Sequence, residues 1–170
     1  HKQYADYKAT RSEMPADLVP QIPLVKKLLE VVGVPCLELA GYEADDVLAT
    51  LAVQTVKAGG DCTLVTSDKD ARQLLGPHVR ILNLRNNTFV GEAELLNDWG
   101  IRPDQVVDYL SLVGDAVDNV PGIPGIGPKI ASGLLQQFGT LEEVLSRCDE
   151  VKGAKRRENI ALHGDTARQG

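Results

Sequence analysis

The sequence predicts an α/β fold, a parallel sheet with helices on both faces, followed by a smaller part made only of helices. Short runs of β-forming residues alternate with helical periodicity through the first half of the chain. Strands that alternate with helices favour a parallel sheet with right-handed crossovers. After Phe89 the strand patterns stop and only helical patterns follow.

The elements of the first half follow from their apolar patterns. From Asp17, apolar residues recur at helical spacing until Gly33, which predicts a helix. Strands are predicted at residues 36–40, 63–66 and 79–84. Helices are predicted at residues 43–57, where Gly59 and Gly60 follow, and at residues 70–75.

The second half contains helical patterns, several with proline in the first turn and glycine after the last. They lie at residues 92–99, 103–113, 128–138, 141–147 and about 151–162. We therefore expect an α/β core at residues 1–91 and a helical subdomain at residues 92–170.

Composition excludes several classes of protein. Hydrophobic residues make up 43% and charged residues 25% of the 170 residues, so a folded core is expected and not disorder. No apolar run reaches the roughly 18 residues of a membrane span, which favours a cytoplasmic protein without a membrane partner. Three separated cysteines, Cys36, Cys62 and Cys148, indicate neither a disulfide frame nor a zinc site. No feature indicates an oligomer, so a monomer is expected.

Acidic residues gather in three clusters at predicted element junctions. These are Glu43, Asp45 and Asp46; Asp68 and Asp70; and Asp115 and Asp118. Each has an ordinary interpretation: acids that complement a helix dipole, an N-cap, and a solvated turn. If the sheet brings the clusters together, they would repel one another unless hard divalent cations bind between them. Two Mg²⁺ (or Mn²⁺) ions about 3.5 to 4 Å apart would suit phosphodiester cleavage.

A glycine-rich hairpin at residues 121–129 follows the last acidic cluster. Gly125 and Gly127 would let the backbone approach a phosphate, Lys129 would add positive charge, and Ile126 would point into the core. The alternative is a simple turn between helices. This segment resembles the helix-hairpin-helix motif, whose contacts to DNA are to the backbone.

The basic opening of the chain offers Tyr7, Lys8 and Arg11. A solvated loop explains these residues from composition alone. Stacking of a base on Tyr7, with the two cations on a phosphate, is the alternative. The formal net charge of −6 argues against a nucleic-acid partner, unless bound cations reverse the local sign at the acidic clusters.

Taken together, these motifs resemble the 5' nuclease (5'-3' exonuclease or flap endonuclease-like) domain of the bacterial DNA polymerase I family. The resemblance implies a PIN-like α/β core and metal-dependent cleavage of DNA or RNA primers at a 5' flap or a single-strand to duplex junction, in replication and repair. It implies metal sites formed by the seven acids named above, and catalytic roles for Lys8 and Arg11. It also implies DNA contacts by Tyr7, Lys8, Arg11, Gly125, Ile126, Gly127 and Lys129, and a K⁺ ion at the hairpin.

The resemblance also implies features outside this chain. The family begins with two Asp-bearing strands, and both would precede His1. Some members continue into a fused polymerase domain and others are stand-alone exonucleases, and the resemblance leaves both open for the full-length protein. We therefore expect a fragment with weak activity or none. Two other functions stay open: a PIN-type ribonuclease that acts on single-stranded RNA, and a DNA-structure-binding module that needs none of the acids.

Overall fold

The structure is a computed structural model that describes residues 7–9 and 13–168. Its helices are α1 (Gln21–Val31), α2 (Ala44–Lys57), α3 (Glu92–Trp99), α4 (Val106–Val113), α5 (Pro128–Phe138), α6 (Leu141–Ser146) and α7 (Ala154–Ala167). Its strands are β1 (Cys62–Val65), β2 (Val79–Asn83), β3 (Thr88–Val90), β4 (Gly114–Asp115) and β5 (Val120–Pro121). Three short 3-10 helices lie at Asp70–Leu74, Pro103–Gln105 and Cys148–Glu150.

The main sheet of the described chain has the order β1-β2-β3. β1 and β2 run parallel with Leu64 opposite Ile81, and the 3-10 helix Asp70–Leu74 lies between them in sequence. Leu64, Val79 and Ile81 are buried, whereas Val65 on the other face is exposed. The parallel pair places the carboxyl end of β1, followed by Asp68 and Asp70, at one edge of the sheet.

Two strand predictions in the first half need correction. Residues 36–40 do not form a strand: Leu37 and Leu39 are both more than half exposed, and no strand of the described chain pairs with this segment. Alternating apolar residues form a strand only when a neighbouring strand accepts their backbone hydrogen bonds. Strands also continue past residue 84, because β3 turns back antiparallel on β2, and the short hairpin β4-β5 follows α4.

The hydrophobic core lies mainly in the helical part and continues into the sheet. Its fully buried side chains include Leu95, Ile101, Val106, Leu112, Leu135 and Ile160. Ala52 of α2 and Leu64 of β1 extend this core into the α/β part. The predicted helices at residues 43–57, 92–99, 128–138 and 141–147 are confirmed within one or two residues. The helix predicted at residues 103–113 begins with the 3-10 turn Pro103–Gln105 and continues as α4.

By contrast, α1 contributes no buried residue. Leu24 is 66% exposed, Leu28 is 60% exposed and Val31 is 75% exposed. We call these side chains, together with Leu37 and Leu39, the N-terminal apolar surface. Within residues 7–9 and 13–168, none of the helices combines the length and the hydropathy that a bilayer-spanning segment requires.

Two neighbouring leucines of α3 provide a matched test of this core. Leu95 is 0% exposed and Leu96 is 56% exposed. We expect Leu95→Ala to lower the free energy of unfolding by about 2–5 kcal/mol, because it leaves a cavity in a close-packed interior. Leu96→Ala should change it by about 0.5 kcal/mol or less. Urea unfolding checks both, and equal effects would contradict the packing described.

Candidate metal centre and DNA-binding hairpin

Three carboxylates from two parts of the fold converge at the carboxyl edge of the sheet. Asp70 begins the 3-10 helix after β1, whereas Asp115 lies at the end of β4 and Asp118 in the β4-β5 turn. One oxygen of each lies within 4.8 Å of the others. This geometry brings together acids that are far apart in the sequence, from two of the three acidic clusters.

Asp70 has the environment of an ion-binding carboxylate. Partial burial raises its pKa above the usual range, and the negative charges of Asp68, Asp115 and Asp118 raise it further, against the opposing charge of Lys69. Its Oδ1 is buried without a hydrogen-bond partner. A buried, unpartnered acceptor among like charges is stabilised when a cation binds to it. The residues present therefore fit a divalent metal ion.

Asp115 lies in the same cluster, but its pKa moves in the opposite direction. Burial alone would raise the pKa of Asp115, but the hydrogen bond and the charge of Lys69, together with backbone hydrogen bonds from Val117 and Asp118, outweigh burial and hold the pKa below its usual range. Lys69 Nζ lies 2.9 Å from Asp115 Oδ2. The Val117 N–H also donates to Asp115 Oδ1 at 2.8 Å. Asp115 is therefore ionised and held in a fixed orientation.

A second acidic group lies at the start of α2. Partial burial raises the pKa of Asp45, and the charges of Asp68 and Glu43 raise it further. The charge of Asp68 thus acts on both Asp45 and Asp70. The negative charge of Asp68 is therefore close enough to affect both this group and the cluster of Asp70, Asp115 and Asp118.

Asp46 and Asp68 also accept backbone hydrogen bonds at the starts of helices, which is one of the ordinary roles described above for acidic residues. Asp46 Oδ2 accepts the Glu43 N–H at 3.0 Å, which caps the start of α2. Asp68 Oδ1 accepts the Asp70 N–H at 3.0 Å at the start of the 3-10 helix. A capping carboxylate keeps further lone pairs, so capping and metal binding are compatible.

The basic opening contacts both acidic groups. Lys8 Nζ donates to Glu43 Oε2 at 2.5 Å, and the Lys8 N–H donates to the Asp118 carbonyl oxygen at 2.9 Å. Burial alone would lower the pKa of Lys8, but its interactions with Glu43 and Tyr7 outweigh burial and raise it. The Lys8 ammonium also lies 4.6 Å from the Tyr7 ring centroid. Arg11, predicted to act with them, lies outside the described residues.

Two glycines fix the loop that presents Asp115 and Asp118. Gly114 has a φ of +78°, and a Cβ there would lie 2.3 Å from the Gly122 nitrogen. A Cβ on Gly122 would lie 2.3 Å from the carbonyl carbon and oxygen of Val113. The backbones of the two segments of the hairpin therefore lie closer together than a Cβ atom at either glycine would allow. The sequence offered a signal, since these glycines flank the acidic cluster, but the prediction did not use it.

An aromatic and cationic stack positions Asp70 against the helical part. The Arg72 guanidinium lies 4.5 Å from the Trp99 ring centroid, and its Nη2 is 3.7 Å from Asp98 Oδ2. Trp99 in turn stacks on Tyr109 of α4 at 4.8 Å. Sequence reasoning missed this contact, because nothing in the pattern pairs Arg72 with a tryptophan 27 positions away.

The glycine-rich turn that precedes α5 is anchored in the core and tied to α7. Ile126 is 3% exposed, as predicted, and its N–H donates to the Ile123 carbonyl. Asn159 Nδ2 donates to the Pro124 carbonyl at 2.6 Å and ties the turn to α7. Gly127 precedes α5, whose first turn contains Lys129 and no acidic residue. The end of α5 that faces the turn is therefore electropositive.

Comparisons with known proteins agree with this arrangement. Residues 1–100 match the family described as 5'-3' exonuclease, N-terminal resolvase-like domain, and residues 101–169 match 5'-3' exonuclease, C-terminal SAM fold. The chain is 44% identical over 165 residues to a DNA polymerase I from Rhizobium leguminosarum, covering 97% of this chain and 16% of that protein. It is 42% identical over 151 residues to a 5'-3' exonuclease from Aquifex aeolicus, covering 89% of this chain and 52% of that protein.

The fold is also found in a solved structure. The T5 D15 protein, co-crystallized with metal ions, superposes with a TM-score of 0.83 at 20% identity, covering 99% of this chain and 67% of the other. The bacteriophage T5 D15 flap endonuclease in a complex with DNA and metal ions superposes with a TM-score of 0.82 at 20% identity, covering 99% of this chain and 66% of the other. The chain spans about half, or less, of the curated relatives above.

The close approach of the two glycines gives a test of the loop. We expect Gly122→Ala to lower the free energy of unfolding by about 1–3 kcal/mol, because the new methyl group meets backbone that cannot move aside. Gly133→Ala, in the middle of α5, is the control, because a Cβ at Gly133 would meet no neighbouring atom within 4 Å. This substitution should raise the free energy of unfolding by about 0.5–1 kcal/mol. Thermal unfolding measures both, and a neutral Gly122→Ala would argue against the contact.

The raised pKa of Asp70 gives a test of the metal-free site. We expect Asp70→Asn to raise the thermal midpoint at pH 7 without metal, because it removes a charge that burial and its neighbours disfavour. A pKa raised by folding stabilises the wild type at low pH, and this stabilisation is lost as the pH rises through the folded pKa. The advantage of Asp70→Asn should therefore disappear below the unfolded pKa of about 3.9.

The same pair of proteins should respond differently to metal. Mg²⁺ should raise the midpoint of the wild type more than that of Asp70→Asn, because binding to the folded state stabilises it. Asp149→Asn, at an exposed acid in the helical part, serves as the control. An Asp70→Asn variant less stable than the wild type at every pH would refute the electrostatic description.

Proposed function

The chain belongs to the 5'-3' exonuclease family, and we propose from this premise that it is a structure-specific 5'-3' exonuclease and flap endonuclease. Its substrate is DNA, or an RNA primer on DNA, with a 5' flap or a single-strand to duplex junction. The supporting observation is the convergence of Asp70, Asp115 and Asp118 within 4.8 Å. A role in DNA replication and repair agrees with the DNA polymerase I relative.

Two groups of acids would hold two divalent ions, Mg²⁺ or Mn²⁺. Asp115 and Asp118 with Asp70 would form one site, and Glu43, Asp45 and Asp46 with Asp68 would contribute to the other. When bound, such ions lower the pKa of a water molecule and offset charge on the phosphate and the leaving oxygen. The protein supplies orientation: the Val117 N–H fixes Asp115, and the capping contacts fix Asp46 and Asp68.

Lys8 and Tyr7 would act on the 5' strand beside these acids. The Lys8 ammonium lies at Glu43 and influences Asp45, so it would offer a positive charge to a phosphate that divalent ions hold beside the acidic groups. Tyr7 offers an aromatic face next to this ammonium, on which a base can stack. Arg11 would add a second cation from the same segment.

The hairpin would hold the duplex. Gly125 and Gly127 have no side chains that would keep a phosphate from their backbone, Ile126 anchors the hairpin in the core, and Lys129 adds positive charge at the start of α5. Contacts of this type go to phosphates and do not read base sequence. We place the boundary between the nuclease core and this helical subdomain near residue 91.

The decisive experiment compares cleavage and binding in one variant. Asp115→Asn should reduce cleavage of a 5'-flap DNA in Mg²⁺ by about 100-fold or more. Loss of a residue that supports a metal ligand already lowers activity by about 10- to 100-fold, and loss of the ligand itself should lower it further. Asp149→Asn, which removes the same charge at an exposed position, should cleave as the wild type does. Binding of the flap DNA, measured by fluorescence anisotropy in Ca²⁺, shows whether the variant still folds and binds.

Two outcomes would favour the other functions. Cleavage of single-stranded RNA without a junction would indicate a PIN-type ribonuclease. An Asp115→Asn protein with every measured function intact would indicate a DNA-structure-binding module. Because the chain spans only 52% of the Aquifex aeolicus relative, the assay is run on this chain and on a form extended at its N-terminus. The extended form should be faster, and equal rates would contradict the two expected Asp-bearing strands.

A further inference from the structure

Lys69 stands inside the acidic cluster, between two residues proposed as metal ligands. Its Nζ lies 2.9 Å from Asp115 Oδ2 and 4.0 Å from Asp70 Oδ1. The second oxygen is the buried atom that has no hydrogen-bond partner. The Lys69 ammonium therefore lies near the oxygens of Asp115 and Asp70 that a bound cation would contact.

We propose that Lys69 is the internal counter-ion of this cluster, and that a divalent ion binds there by displacing the Lys69 ammonium from Asp115. This inference rests on the proposed function, because it assumes that the cluster binds a divalent ion. Its test is metal binding without substrate, so it can fail while the nuclease function stands.

The charges near Asp70 support an exchange. Asp70, Asp115 and Asp118 each place one oxygen within 4.8 Å of the others. The Lys69 ammonium lies 2.9 Å from Asp115 and 4.0 Å from Asp70. One positive charge thus offsets part of the repulsion in the metal-free protein. A divalent ion at the same carboxylates offsets more of it, and it repels the ammonium.

The position of Lys69 makes displacement easy. It directly precedes the 3-10 helix Asp70–Leu74, and its side chain is 38% exposed. Exposed lysine ion pairs are weak, and the four-carbon stem can rotate without any backbone movement. By contrast, Arg72 is held over Trp99 and near Asp98, so its charge stays away from the carboxylates when metal binds.

Substitution of Lys69 should therefore change metal affinity in a direction set by the new side chain. Lys69→Met removes the competing cation and should tighten Mn²⁺ binding by about 5- to 10-fold. Lys69→Arg keeps the charge and holds a carboxylate through two hydrogen bonds, so it should weaken Mn²⁺ binding about 3-fold. Lys155→Met is the matched control, since Lys155 is exposed and pairs with Glu158.

Isothermal titration calorimetry of the whole chain with Mn²⁺ measures these affinities. In an Asp115→Asn background, where the lysine loses its partner, Lys69→Met should change affinity less than about 2-fold. Mn²⁺ binding to Lys69→Met that is equal to or weaker than binding to the wild type would overturn the proposal. If Lys69→Met does not fold, tighter binding by Lys69→Arg would overturn it, and weaker binding would support it.

Discussion

The mutual repulsion of carboxylates gathered at one sheet edge is the constraint on which this structure depends. Asp70, Asp115 and Asp118 come within 4.8 Å of one another only because the fold holds two separate chain segments together. Burial, together with repulsion of this kind, raises the pKa of Asp70 and favours an ammonium or a metal ion nearby. The repulsion destabilises the folded protein at this edge, and the same negative charge attracts cations.

Rigid contacts on both sides of the cluster oppose this repulsion. The β4-β5 pairing, with Gly114 opposite Pro121, and the close backbone approach of Gly114 to Gly122 hold the Asp115 loop in place. On the other side, the stack of Arg72, Trp99 and Tyr109 holds the start of the 3-10 helix against α3 and α4. These contacts hold the two chain segments together against the repulsion, and a cation bound between the carboxylates would relieve it.

Sequence patterns predicted the fold well wherever they reflect local periodicity. The helices α2 to α6 and the strands β1 and β2 lie where the apolar spacing places them, whereas α7 (Ala154–Ala167) begins and ends several residues later than the predicted helix at about 151–162. The segment at residues 36–40 failed because strand formation depends on a partner, which no local pattern contains. The acidic clusters were visible in the sequence. Lys69 and the two loop glycines were visible as residues too, but their contacts to Asp115 and Val113 arise only from the folded arrangement.

The cluster draws its acids from both parts of the fold: Asp70 follows a strand of the sheet, whereas Asp115 and Asp118 follow a helix of the second part. An ion bound among them would act as a cross-link between two packing units. Binding to such a site couples the units, because opening either one releases the ion. Metal concentration would then control the cooperativity of unfolding as well as the occupancy of the site.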